Sequence, residues 1–318
     1  MKKFFPAVFI LSITAFANVI AQESRVTENK PRLFAPGTIS TGDEEFALTF
    51  TPDGKTVYFT KGDYRFKYAA ILVSRLKNGR WTEPEVAPFS GRWRDIDPYI
   101  SPDGTKLFFA STRPISGNEP RKDFDIWMME KTGTGWGEPR HLGAEINSEG
   151  NETTVALTLD GTFYLGAERP GGKGGRDLYR SKLTGGNFSK LVPLNDFFNT
   201  PQDDANQYVA PDGSYMIFSS SRPNPSGTNS LFISYRRNGE WSAPEPFAQN
   251  IINATGIMGP TISPDGKYFV YSTRSGFFDQ PLSASLKYRD LIDKIRMPGN
   301  GMGDIYQVET SALGIRGF

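Results

Sequence analysis

Four acidic side chains, Glu45, Asp95, Glu152 and Asp204, each stand eight residues before the aspartate of a short turn motif. A base follows each turn eight to ten residues later: Lys61, Arg113, Arg169, Arg222 and Arg274. The fifth turn has Ile257 where the others have the acid. Acids and bases that recur in step have three chemical uses. They can pair and hold a fold together, they can line the mouth of a ligand site, or two carboxyls about 5–10 Å apart can hydrolyse a glycoside if one of them holds a proton. Asp97, in "RDIDPYIS", adds an acid off the repeat pattern and makes Asp97 with Glu152 the candidate couple for hydrolysis. Nearby bases favour the ionised form of a carboxyl. The expectation is therefore that none of these acids keeps a proton near neutral pH, and that the ring of charges binds rather than cleaves.

Other chemistries lack their residues. The 318-residue chain has no cysteine, so disulfides, thiolate metal sites and a cysteine nucleophile are excluded. Its single histidine, His141, is expected on an exposed outer strand, and no G-x-S-x-G elbow accompanies it, which argues against a serine hydrolase. No metal or other cofactor is expected. Asp123 and Asp125 read as turn residues rather than calcium ligands. The glycine-rich "RPGGKGGRD" (169–177) precedes no helix and so fails the context of a phosphate loop.

At the N-terminus, Lys2 and Lys3 lead into an apolar run ending at Phe16, with Val19 and Ala21 before a cleavage point. This reads as a signal peptide over residues 1–21, followed by a linker over 22–30. Its removal leaves 34 basic against 35 acidic residues, a balance that predicts no nucleic-acid partner. The run is too short for a membrane span. A periplasmic or secreted monomer is the expectation.

The elements that must carry the charges repeat. The turn is written "FTPDGKTVYFTKG", "ISPDGTKLFFASTRP", "LTLDGTFYLGAERP", "VAPDGSYMIFSSSRP" and "ISPDGKYFVYSTRSG", with its aspartate at Asp53, Asp103, Asp160, Asp212 and Asp265. Proline and glycine suit the tight turn, and the flanking apolar runs suit strands. A period near fifty with strand content predicts a propeller. Each unit reads as four strands, the last after a hairpin such as "NGRWTEP" or "NGEWSAP", where the aromatic caps the gap between blades. The fifth unit lacks that last strand, and "PRLFAPGTISTGDEE" (31–45) matches "PRHLGAEINSEGNE" (139–152). The prediction is an all-β, five-bladed propeller over residues 31–310, closed by an N-terminal outer strand on the last blade, with a tail at 311–318.

The S-P-D-G turn, the "SxRP" after the second strand, the D-I-Y/W start of the third and the G-x-W-x-x-P hairpin resemble the WD40-like repeats called PD40. Such repeats form the propeller of periplasmic TolB and the propellers attached to OmpA-type proteins of Bacteroidetes. The resemblance implies a periplasmic propeller and leaves its partner open. Between the second and third strands of blade five, "GFFDQPLSASLKYRDLIDKIRMPGNGM" (276–302) has a helical period with Leu286, Leu291, Ile292 and Ile295 on one side, and predicts an amphipathic flap over the mouth. With "GIMGP" (256–260) it makes one wall apolar and leaves the rest charged. The function expected from the residues is non-catalytic binding of an envelope protein, peptide or glycan, with a glycan hydrolase as the alternative.

Overall fold

The computed structural model describes residues 30–315 apart from 134, 224–229, 253, 255, 277–281 and 283. Residues 1–21, read as a signal peptide, and Phe277 and Phe278 of the insertion lie outside the described residues. Five antiparallel sheets follow one another along the chain, each an inner strand, two central strands and an outer strand that is split into two short pieces in the first four blades. The inner strands are Glu44–Phe50, Asp95–Ile100, Glu152–Leu157, Asp204–Val209 and Met258–Ile262. In blade five the outer strand is Arg32–Leu33, with Arg32 opposite Gln307 and Leu33 opposite Tyr306. The ring is thus closed by the N-terminal segment, as the sequence pattern predicts, although the strand is only two residues long. Phe34 extends the pairing by one hydrogen bond to Ile305, and the chain then turns at Ala35 and Gly37, both left-handed.

The repeated turn has a local cause. In each motif the aspartate accepts the backbone N–H two residues on, as Asp53 does from Lys55, Asp103 from Thr105 and Asp265 from Lys267. The glycine between them takes φ values of 67–82°. Only glycine does this without strain. The hydroxyl two residues before the aspartate bonds to it as well, in Thr51, Ser101, Thr158 and Ser263.

Side chains between blades form the core. Phe108 meets Phe163 across blades two and three at 5.7 Å, and Phe247 meets Phe269 across blades four and five at 5.7 Å. The hairpin aromatics fill the gaps as expected: Trp81 reaches Phe34, Trp241 reaches Tyr164, and Trp136 Nε1 donates to Tyr58 Oη at 3.0 Å. Burying such rings contributes about 1.5–3 kcal/mol each before entropy is counted.

A second regularity was not expected from the residues. Every inner strand slips register by one residue midway, between Phe46 and Thr49, Ile96 and Tyr99, Glu152 and Thr154, Ala205 and Tyr208, and Met258 and Thr261. In four blades the bulge residue is left-handed: Ala47, Asp97, Asn206 and Gly259, with φ of 52–54°. A bulge bends a strand and re-aims its side chains, and here all five bulges face the ring axis. At Gly259 a Cβ would stand 2.5 Å from the Ala47 Cα, so blades five and one meet there by backbone contact.

Candidate functional site

The rim where the inner strands begin holds the predicted acids and bases, and it holds most of them as closed pairs. Asp95 has no exposed surface and receives Arg113 Nη2 at 2.9 Å, Ser90 Oγ at 2.8 Å and Ser111 Oγ at 2.5 Å. Arg113 also donates to the Phe89 carbonyl at 2.9 Å, in the link arriving from blade one. Arg222 repeats this with Asp204 at 3.0 Å and the Phe198 carbonyl at 2.8 Å. Arg169 bonds to Glu152 at 3.2 Å and to the Ile146 carbonyl. Each arginine therefore fastens an inner strand to the link that precedes it. Lys61 pairs with Glu45 and Asp43, both at 2.8 Å. Arg274, whose repeat acid is replaced by Ile257, bridges to Glu44 at 2.6 Å and so ties blade five to blade one.

Burial dominates the titration of Glu45, Asp95 and Glu152, contrary to the expectation that the bases keep them all ionised. Burial pushes the Glu45 and Asp95 carboxyls up despite Lys61 and Arg113. It carries Glu152 up to about 7 against Ser148 and Arg169. Removing a carboxylate from water costs several kcal/mol, which one partner need not repay.

Asp97 is placed differently. The bulge turns it into the central channel, a cavity of about 40 Å³ lined also by Thr154, Asn206, Gln207 and Tyr208. Its carboxylate has no hydrogen-bond partner among the described residues; only its backbone N–H is engaged, with Thr60 Oγ1 at 3.0 Å. It keeps some accessible surface, but that surface faces the channel, and burial pushes the carboxyl up to about 7 with only the charge of Arg176 pulling it back. The predicted couple is therefore not assembled as a pair of open acids, since Glu152 is enclosed.

Other mouth groups were missed by sequence reasoning. Arg176 forms a two-pronged bridge to Asp203 at 2.6 and 3.1 Å, and its charge also reaches Asp97 and Glu168. Glu168 is exposed and accepts Asn151 Nδ2 at 2.8 Å. A signal existed one residue before each rim acid, where Glu44, Arg94, Asn151 and Asp203 stand. Glu44, Asn151 and Asp203 each bond to the preceding blade, at Gly303, Phe124 and Arg176.

Of the predicted apolar wall, Met258 joins a hydrophobic cluster that runs through blades one, two and three. Phe66 packs on Phe46 at 5.2 Å, and Phe124 joins the same cluster. The helix in the blade-five insertion is Tyr288–Ile295, shorter than expected; its N-cap is Lys287 and none of its residues is buried. It is held at its end by Asn300, which donates to the Ile295 and Gly42 carbonyls at 2.8 Å. His141 is half-buried rather than exposed, because its ring lies against Trp127 and Nε2 is 3.0 Å from Asp125. No acidic or histidine cluster suited to a metal occurs among the described residues.

No family model and no curated protein matches the chain. Among solved structures, an α-L-arabinofuranosidase from Lactobacillus brevis is similar at 14% identity over 86% of this chain and 92% of its own, with a TM-score of 0.51. A thermostable family-43 glycoside hydrolase is similar at 13% identity over 90% and 96%, with a TM-score of 0.52. At such identity the likeness is one of fold, and it agrees with the five-bladed ring.

Proposed function

We propose that the protein acts on glycans at the channel mouth, as a glycoside-hydrolysing propeller whose proton-holding group is Asp97. One observation carries the reading. Of the predicted mouth acids, Asp97 alone has an unbonded carboxyl open to the channel, and its titration near 7 suits a group that must both hold and release a proton. Glu168, exposed beside Arg176, is the second carboxyl the mouth offers. Arg176 holds the Asp203 carboxyl below its ordinary value while burial raises that of Asp97, and carboxyls with opposed proton affinities are what glycoside hydrolysis needs. The similar folds of two glycoside hydrolases support this reading without deciding it.

A second reading, non-catalytic glycan binding by an exported PD40-like propeller, is favoured by the bonds already made to Asp203 and Glu168. The test is incubation of the purified chain with plant and envelope polysaccharides. Sugar release that falls at least a thousandfold in Asp97→Asn, with binding retained, supports hydrolysis. Binding without release by the wild type supports the second reading, and neither binding nor release overturns both.

A further inference from the structure

The sector of the rim over blades one and two differs in charge from the rest. At the position before the rim acid, where Glu44, Asn151 and Asp203 tie neighbouring blades, this junction has Arg94. The link that carries it, 87–94, is two residues shorter than 142–151 and 194–203. Its "GRWR" segment sets two arginines around an indole. Arg92 lies over the Trp93 ring at 4.8 Å and donates to Asn118 Oδ1 at 3.2 Å. Arg94 lies over Phe124 at 4.9 Å. At the same rim the loop between the second and third strands of blade one exposes Tyr64, Tyr68, Arg65 and Lys67, with Arg274 of blade five over the Tyr64 ring at 5.4 Å.

The acids of this sector are largely committed. Asp43 pairs with Lys61 and Asp123 with Arg121. Asp63 accepts the backbone N–H groups of Lys67 and Tyr68. Glu119 is exposed, and against it stand Arg65, Lys67, Arg92, Arg94 and Lys122, none of which has an acid partner among the described residues. Planar guanidinium groups suit oxyanions, and flat aromatic faces suit the C–H faces of sugar rings. Both lie where the chain enters the inner strand bearing Asp97.

Resting on the glycan reading above, we infer that the ligand is an anionic glycan, whose carboxylate or sulfate groups are taken by Arg92 and Arg94 while a ring lies along Trp93. The inference names the substrate class and adds a specificity element that the channel residues do not supply. Since the attraction is partly long-range, it weakens as salt rises.

Calorimetric titration of the full chain with oligogalacturonate, a sulfated galactan, neutral arabinan and neutral xylan tests it, with inorganic polyphosphate as a charge control. Expected is at least about tenfold tighter binding of an acidic than of a neutral glycan, a preference that shrinks between low and high salt. Arg94→Gln should lose that preference; Arg92→Gln, at an exposed side chain that lies over Trp93 and bonds to Asn118, provides the same reading if the first variant folds poorly. Whether the carboxylated or the sulfated polymer binds better identifies the anion. Equal affinity for acidic and neutral glycans overturns the inference and leaves the glycan reading intact. Polyphosphate binding as tightly as the acidic glycans overturns it too, because the patch would then read charge alone. Absence of binding to every glycan overturns both.

Discussion

Asp95 and Asp97 lie two residues apart in one strand, and their surroundings are opposite. Asp95 is enclosed by Arg113, Ser90 and Ser111 at the wall between blades. Asp97 faces the channel with no bond to its carboxylate. In a regular strand residues i and i+2 share a face. Here the register slip between Ile96 and Tyr99, with Asp97 at φ 52°, sends the second acid to the axis while the first stays in the wall. The rim charges are thus fasteners and the channel charge is available for chemistry. The difference arises from backbone geometry, not residue type.

That contrast can be broken most directly at Arg113. Replacing it by alanine leaves Asp95 buried and unpaired and should cost about 3–5 kcal/mol in chemical denaturation. Replacing both Asp95 and Arg113 by apolar residues of similar volume should recover most of it; a cost below about 1 kcal/mol for the single change would show that the rim pair does not fasten the blades.

Asp97→Asn should act in the opposite direction. A carboxyl whose folded value is raised, from 3.8 to about 7, binds more protons folded than unfolded across that interval. Stability therefore falls as pH rises from about 4 to about 7, by at most about 1.4 kcal/mol per pH unit. Glu152 and Asp304, both raised to about 7, contribute to the same slope. The variant should be the more stable protein at pH 8 and should show a shallower slope than wild type. Identical slopes would mean that Asp97 titrates as it does in water.

A smaller effect is expected next along the same strand. Tyr99 Oη both donates to the Leu157 carbonyl and accepts its N–H, each at 2.9 Å, which joins blades two and three beside the bulge. Tyr99→Phe should lower stability by about 1–3 kcal/mol, read from the thermal midpoint at fixed pH. Lys61 is a more open fastener than Arg113. Its side chain is 31% exposed but Glu45 is not exposed at all and keeps its bonds from Thr41, so Lys61→Ala should cost about 1–3 kcal/mol and lose part of that at high salt. A cost equal to that of Arg113→Ala would erase the distinction between the enclosed and the open parts of the rim.

Much of the rim was legible because its signals are local. Turn, base and acid recur at near-constant spacing, and strand geometry alone brings the acid and base to one end of a sheet. The partner of Arg274 was not legible, because the acid that meets it, Glu44, belongs to blade one and lies 230 residues away. Likewise Arg176 and Asp203 meet only when blades three and four are set side by side. The insertion helix was read from its period, but its length and exposure depend on what packs against it, and no residue of the helix is buried.

From its residues alone this chain determines five blades, the turn chemistry that separates their strands, and closure of the ring by its own N-terminal segment. These follow from φ preferences, alternation and counting, which need no neighbours. The tertiary structure decided which charges are spent and which are free. Bulges at the axis set side-chain direction, and burial set proton affinity; both arise only when five sheets converge on one channel, which no single repeat contains.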